Sequence, residues 1–259
     1  LLAVVGTDFA DAHIQCLRNC GIDTSGLQVC EGRTFRWKGR YGEDLNTAIT
    51  LDTQLNVLGE FRPVLPDGCR QPDVLFLANV DPDLQLEALA QAPGARLKVA
   101  DTMNYWIDGK RDSLTRVFSQ VDVVVINEAE AKQYAGARSL PTAARCILEL
   151  GPKALVTKRG EYGCSLFTGS GYFVAPAYPL ERVLDPTGAG DTFAGGFVGY
   201  LAQAAEADQS AMKRAVLHGS ATASFAVEDF GVRRLLTLSA SEVSERCRQL
   251  REFTHLEGL

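Results

Sequence analysis

The chain has 259 residues, 46% of them hydrophobic and 22% charged, and a formal net charge of −6. Such a composition suits one large globular domain, or one domain with a small appendage. It contains no basic block for a nucleic-acid surface and no apolar run of the roughly 18–20 residues that a membrane helix needs.

Leu2–Gly6 reads as a short buried strand and Asp8–Cys20 as a helix stopped by Gly21. Leu1–Val5 is apolar, but it is too short for a signal peptide and lacks a basic flank. From Thr34 to Tyr41 polar and aromatic residues alternate, which is the period of a half-exposed strand. Ile49–Phe61 is a second extended segment, with a turn expected at Gly42–Asp44. These strands predict a small β-sheet lid over 29–62, appended to a main domain formed by 1–28 and 63–259.

Beyond residue 72 short apolar runs recur at Val74–Ala78, Leu97–Ala100, Val121–Ile126 and Ala154–Thr157, with helix-length segments between them. That rhythm predicts an α/β fold with a doubly wound, mainly parallel sheet flanked by helices. Cys164–Phe167 and Tyr172–Ala175 predict a hairpin, and helices are expected over Asp191–Ala205, Ser210–Phe225 and Ser241–Phe253. The seven scattered cysteines form no Cys-x-x-Cys and read as reduced thiols of a cytoplasmic protein. Three histidines give no zinc spacing.

Open α/β sheets bind ligands at the carboxyl ends of their strands. Asp101, Asn127 and Lys158 each follow a predicted strand directly. The most specific segment is Asp185-Pro-Thr-Gly-Ala-Gly-Asp-Thr-Phe-Ala-Gly-Gly196. Its glycine-containing turn opens into a helix, whose first N–H groups lack internal partners and can hold an anion. A carboxylate at 191 opposes a bound anion, unless it takes the proton of a hydroxyl that attacks phosphorus.

This string resembles the second signature of the ribokinase-like (PfkB) family of carbohydrate and nucleoside kinases. The resemblance implies that Asp191 is the base and that the backbone of Gly188, Ala189 and Gly190 forms an anion hole for the migrating γ-phosphate. Asn127-Glu-Ala-Glu130 resembles the family's N-x-x-E element, which helps to position Mg²⁺ through water; read alone it is also an ordinary helix cap. Lys158-Arg-Gly160-Glu-Tyr-Gly163 resembles a nucleotide-contacting turn, and Ser220 and Gly231 fall in the segment that closes over adenine. His218 lies near that segment and reads as a helix-surface residue. Asp185 and Thr187 match a D-x-T that contributes oxygens to K⁺ in many relatives.

In the lid, Thr34, Arg36, Lys38 and Arg40 share one face, which suits a polar substrate. Phe35, Trp37 and Tyr41 share the other, which suits packing on the body or a homodimer through the lid. Arg36, Arg40 and Asn104 are the candidate substrate contacts. The family's first signature, with its N-terminal strand, early acidic residue and G-G-x-x-x-N element, is not among these residues. The expectation is therefore an incomplete acceptor site and a sheet edge left bare.

These resemblances imply a kinase using ATP and Mg²⁺ to phosphorylate a hydroxymethyl group of a sugar. A nucleoside kinase of the same fold and a non-catalytic ligand sensor are the alternatives. Gly188-x-Gly190-x4-Gly195 lacks the dinucleotide-binding spacing, and no P-loop motif occurs.

Overall fold

The computed structural model describes residues 1–42, 45–46 and 48–255. Residues 43 and 44 of the expected turn lie outside that set. The chain falls into two compact units, residues 1–72 with 83–94, and residues 73–82 with 95–259.

In the first unit β1 (Leu2–Gly6) pairs in parallel with β2 (Gly26–Cys30), and α1 (Asp11–Asn19) lies between them in the chain. β2 is a strand the sequence reading did not anticipate. The Asp8 carboxylate accepts both the backbone N–H and the hydroxyl of Thr34 at 2.7 Å, and the Gly6 N–H donates to the same hydroxyl at 2.9 Å. These bonds fix the start of β3 (Arg36–Tyr41), which pairs antiparallel with β4 (Ala48–Gln54). Along β3, Arg36, Lys38 and Arg40 are exposed while Trp37, Gly39 and Tyr41 are half-buried, as a period of two requires.

The extension expected to run to Phe61 ends at Gln54 instead, and residues 56–60 form a 3-10 turn. Asn56 adopts a left-handed φ of 48° and its side-chain amide donates to the Thr34 carbonyl, so the strand cannot continue. After a second short 3-10 turn, α2 (Pro82–Gln91) ends on Gln91. That side chain accepts from the Leu65 N–H and donates to the Pro63 carbonyl.

The second unit holds a six-stranded sheet. β5 (Val74–Leu77), β6 (Leu97–Asp101), β7 (Val123–Asn127) and β8 (Ala154–Lys158) are parallel neighbours in that order. β9 (Cys164–Thr168) and β10 (Gly171–Ala175) complete it as an antiparallel hairpin. Val123, Val125, Ala154, Val156, Cys164 and Leu166 face one way, onto Phe193, Phe197, Ala215 and Val216 of α7 (Ala189–Gln203) and α8 (Gln209–Ala226). The alternate residues Val124, Ile126 and Leu155 are also fully buried, so the sheet is covered on both faces. α5 (Glu128–Ala135) and α6 (Leu140–Leu148) contact β7 and β8 and cover that second face. The result is a mostly parallel central sheet flanked by helices, as the apolar rhythm predicts.

Between β6 and β7 lie α3 (Asn104–Gly109) and α4 (Arg111–Phe118), and the chain closes with α9 (Arg233–Leu236) and α10 (Ala240–Glu252). Arg246 of α10 lies between the Tyr178 and Phe225 rings and donates to Glu228 and Ser224 at 2.8 and 2.9 Å. It pins α10 to the end of α8 and to the segment before α7. All seven cysteines are free thiols. No described helix is long and apolar enough to cross a membrane.

Candidate active site

β6, β7 and β8 are parallel neighbours, so Asp101, Asn127 and Lys158 all emerge at the carboxyl end of the sheet, with Asn127 opposite Lys158 and Asp101 opposite Val125, two residues before Asn127. Each polar group emerges where its apolar strand ends, as the sequence indicates. From the outer two of these strands, Lys158 Nζ and Asp101 Oδ2 meet at 2.8 Å, with the side chains only 17% and 4% exposed. Asp101 also accepts the Thr102 N–H at 2.8 Å. Burial alone would pull Lys158 down, but Asp101, with Glu130 and Asp191 beyond it, holds its ammonium above the ordinary lysine value.

Asn127 caps α5. Its side chain accepts the Glu130 N–H at 2.7 Å, and Glu130 returns the bond to the Asn127 N–H at 2.9 Å. This capping box explains why the two residues stand three apart. It also turns the Glu130 carboxyl inward beside the strand ends. Burial pushes that carboxyl up from 4.5 to about 7, against the pull of the Asn127 N–H and the Lys158 charge.

The second basic residue of the 158–163 segment is equally committed: Arg159 donates to Glu128 at 2.7 Å. Gly160 and Gly163 form a closed 3-10 turn with Arg159. Gly163 has φ +83°, and a Cβ there would lie 2.0 Å from the Ala175 carbonyl oxygen. Its glycine is thus required by the turn and the neighbouring chain, with no need of a ligand.

α7 begins at Ala189, two residues before the expected start, because Gly188 caps it with φ +80°. The helical ladder starts with the Thr192 N–H on the Gly188 carbonyl, at 2.9 Å. The Ala189 N–H is drawn back onto the Pro186 carbonyl at 3.2 Å, so one of the three expected anion-hole donors is already engaged. Gly190 and Asp191 lie in the first turn, where N–H groups have no carbonyl four residues back within the helix. A Cβ on Gly190 would stand 3.3 Å from Lys158 Nζ, which places the glycine against the ammonium. The Asp191 side chain is exposed at this helix end.

Asp185 ties the turn together by accepting the Thr187 N–H at 3.0 Å. Burial opposes the charge of Asp185, but the Thr187 backbone and side chain and the Gly231 backbone together hold its carboxyl below the usual value. The Leu184 N–H donates to the Val227 carbonyl at 2.8 Å, so the 184–187 and 227–231 segments run together.

The other expected residues are placed differently. Ser220 is buried, with its hydroxyl 3.5 Å from the Cys164 sulfur. It shares the inward stripe of Met212 and Val216 on α8, so its side chain is turned to the core. His218 is half-buried beside Tyr200, and burial lowers it. Asn104 is exposed at the start of α3 and accepts the Tyr105 N–H at 2.9 Å. Arg36 and Arg40 belong to the other compact unit. Among the described residues no cluster of three or more His, Cys, Asp and Glu side chains has the geometry of a preformed metal site.

The pairing of Asp101 with Lys158 is not legible in the sequence, because the two lie 57 residues apart. The one available signal was an acid directly at the end of a predicted strand.

The family model described as pfkB family carbohydrate kinase matches residues 1–238. The cytidine kinase of Thermococcus kodakarensis is 33% identical to this chain over 203 residues, which are 76% of this chain and 72% of that protein. The nucleoside kinase of Methanocaldococcus jannaschii is 25% identical over 232 residues, covering 89% and 74%. Among solved structures, Arabidopsis thaliana ribokinase complexed with ribose and ATP aligns with a TM-score of 0.76 at 16% identity. That alignment covers 95% of this chain and 81% of the ribokinase, and it shows a shared fold.

Proposed function

We propose that this chain, which belongs to the pfkB carbohydrate kinase family, transfers the γ-phosphoryl group of ATP to a hydroxymethyl group of a nucleoside. The observation that carries the reading is the first turn of α7, where Gly190 and Asp191 stand over the buried Lys158 ammonium. A Cβ would fill that cradle, so the missing side chain at 190 leaves room for phosphate oxygens. The α7 N–H groups and the ammonium supply positive charge where phosphoryl transfer builds up negative charge. Asp191 accepts the proton of the attacking hydroxyl. The turn at Gly160–Gly163 and the backbone at Gly231 flank the nucleotide, and Ser220 contributes to packing beneath it.

Mg²⁺ is the metal that this reading requires, and its proposed contacts stand at the end of β7 and the start of α5. Asn127 and Glu130 hold it through its water shell, since each already has one oxygen in the capping box. Mg²⁺ supplies charge neutralisation on the phosphates. For K⁺, Asp185 and Thr187 are the proposed contacts together with loop carbonyls near Val227 and Gly231, and the Asp185 carboxyl is already bonded by the Thr187 N–H at 3.0 Å, the Thr187 side chain and the Gly231 backbone.

The sequence alone favours a sugar acceptor. The relatives matched over most of this chain are a cytidine kinase and a nucleoside kinase, and that supports the nucleoside. Asn104, exposed at the start of α3, is a proposed acceptor contact. Ile49 and Leu51 on β4 are 48% and 52% exposed, which supports a homodimer through the β3–β4 sheet. The test is ATP consumption by the full-length protein with Mg²⁺ and K⁺ against a panel of nucleosides and sugars. Turnover confined to nucleosides is expected. Turnover confined to sugars would move the acceptor class, and ATP binding without turnover on either would favour a sensor.

A further inference from the structure

Three carboxylates compete for one ammonium at the sheet edge. Asp191 and Glu130 are both close enough to Lys158 to act on its charge, yet the ammonium bonds to Asp101. A lysine side chain is a flexible stem with a point charge at its end, so its position is set by whatever partner holds it. Asp101 is itself fixed, since it is 3% exposed and accepts the Thr102 N–H. It stands two strands away from Lys158, and the lysine reaches across the end of β7 to meet it. That reach brings the ammonium against Gly190. Paired with Asp191 instead, the ammonium would leave the cradle and occupy the oxygens that the attacking hydroxyl needs.

We infer that Asp101 is a positioning residue, whose ion pair holds the Lys158 ammonium at Gly190 for the phosphates of ATP and keeps it off Asp191. Asp101 itself touches neither substrate. The inference rests on the reading of this edge as an ATP site, and it does not depend on which acceptor is used.

The experiment is a binding cycle on the full-length protein: titration of ATP with Mg²⁺ into wild type, Asp101→Asn, Lys158→Met and the double variant. Loss of a charge-assisted contact weakens ATP by about tenfold or more, so both single variants should bind at least that much less tightly. Because Asp101 acts through Lys158, the double variant should bind ATP as Lys158→Met does, within about twofold, a clear failure of additivity. Asp101→Asn leaves a buried ammonium without its partner and is the variant most exposed to misfolding. The double variant carries no such charge, so its comparison with Lys158→Met decides the matter even then.

Wild-type affinity in Asp101→Asn overturns the inference. So does a double variant much weaker than Lys158→Met, which would give Asp101 a role of its own. Absence of ATP binding by wild type would overturn both this inference and the kinase reading.

Discussion

Replacing Glu130 with glutamine should change how stability depends on pH, in a direction the structure fixes. Burial raises the Glu130 carboxyl from 4.5 to about 7. Below about pH 4.5 the group is protonated in the folded and unfolded chain alike, and its contribution is fully present. As pH rises through about 7 that contribution is lost, because the folded state must release a proton it held more tightly than the unfolded chain did. The gap between 4.5 and about 7 corresponds to about 3 kcal/mol. Glu130→Gln would keep the capping box, since the amide oxygen can accept the Asn127 N–H in the same place. The variant therefore mimics the protonated form at every pH. Thermal unfolding in EDTA should give nearly equal midpoints near pH 5 and a variant more stable by roughly 6–12 °C near pH 8.5. Parallel curves for the two proteins across that range would refute the reasoning.

Two glycine substitutions should separate folding from binding. Gly163→Ala puts a Cβ 2.0 Å from a backbone oxygen at φ +83°, and denaturant unfolding should show a loss of about 3 kcal/mol or more. Gly190→Ala meets only the tip of Lys158 at 3.3 Å, so stability should stay within about 1 kcal/mol while ATP titration shows a large loss of affinity. Arg246→Met removes the cation between Tyr178 and Phe225 and leaves Glu228 with Arg234 alone; the same unfolding assay should report a loss of about 2–3 kcal/mol.

Much of the second unit was legible because its strands are buried on both faces and read as unbroken apolar runs, Val123–Ile126 above all. The start of α7 was visible through its glycines, to within two residues. β2 escaped notice because Gly26-Leu-Gln-Val-Cys30 neither alternates nor runs apolar, and its pairing depends on β1 more than twenty residues earlier. The 3-10 turn at 56–60 hid for a related reason: Asn56 is held by Thr34, a contact no local window contains. In the site, each side chain could be named from its strand end, but the pairing could not. The Asp101–Lys158 bond arises only when β6, β7 and β8 lie side by side. The inward turn of Ser220 was readable from the stripe that runs from Met212 through Val216 on α8.

The most direct test of the central claim compares wild type and Asp191→Asn in two assays, phosphoryl transfer from ATP and equilibrium binding of ATP. The account predicts that transfer falls by about a hundredfold or more, as expected for loss of a general base. It also predicts that ATP affinity stays within about threefold, because the backbone cradle and Lys158 remain. Near-normal transfer by Asp191→Asn would contradict the account.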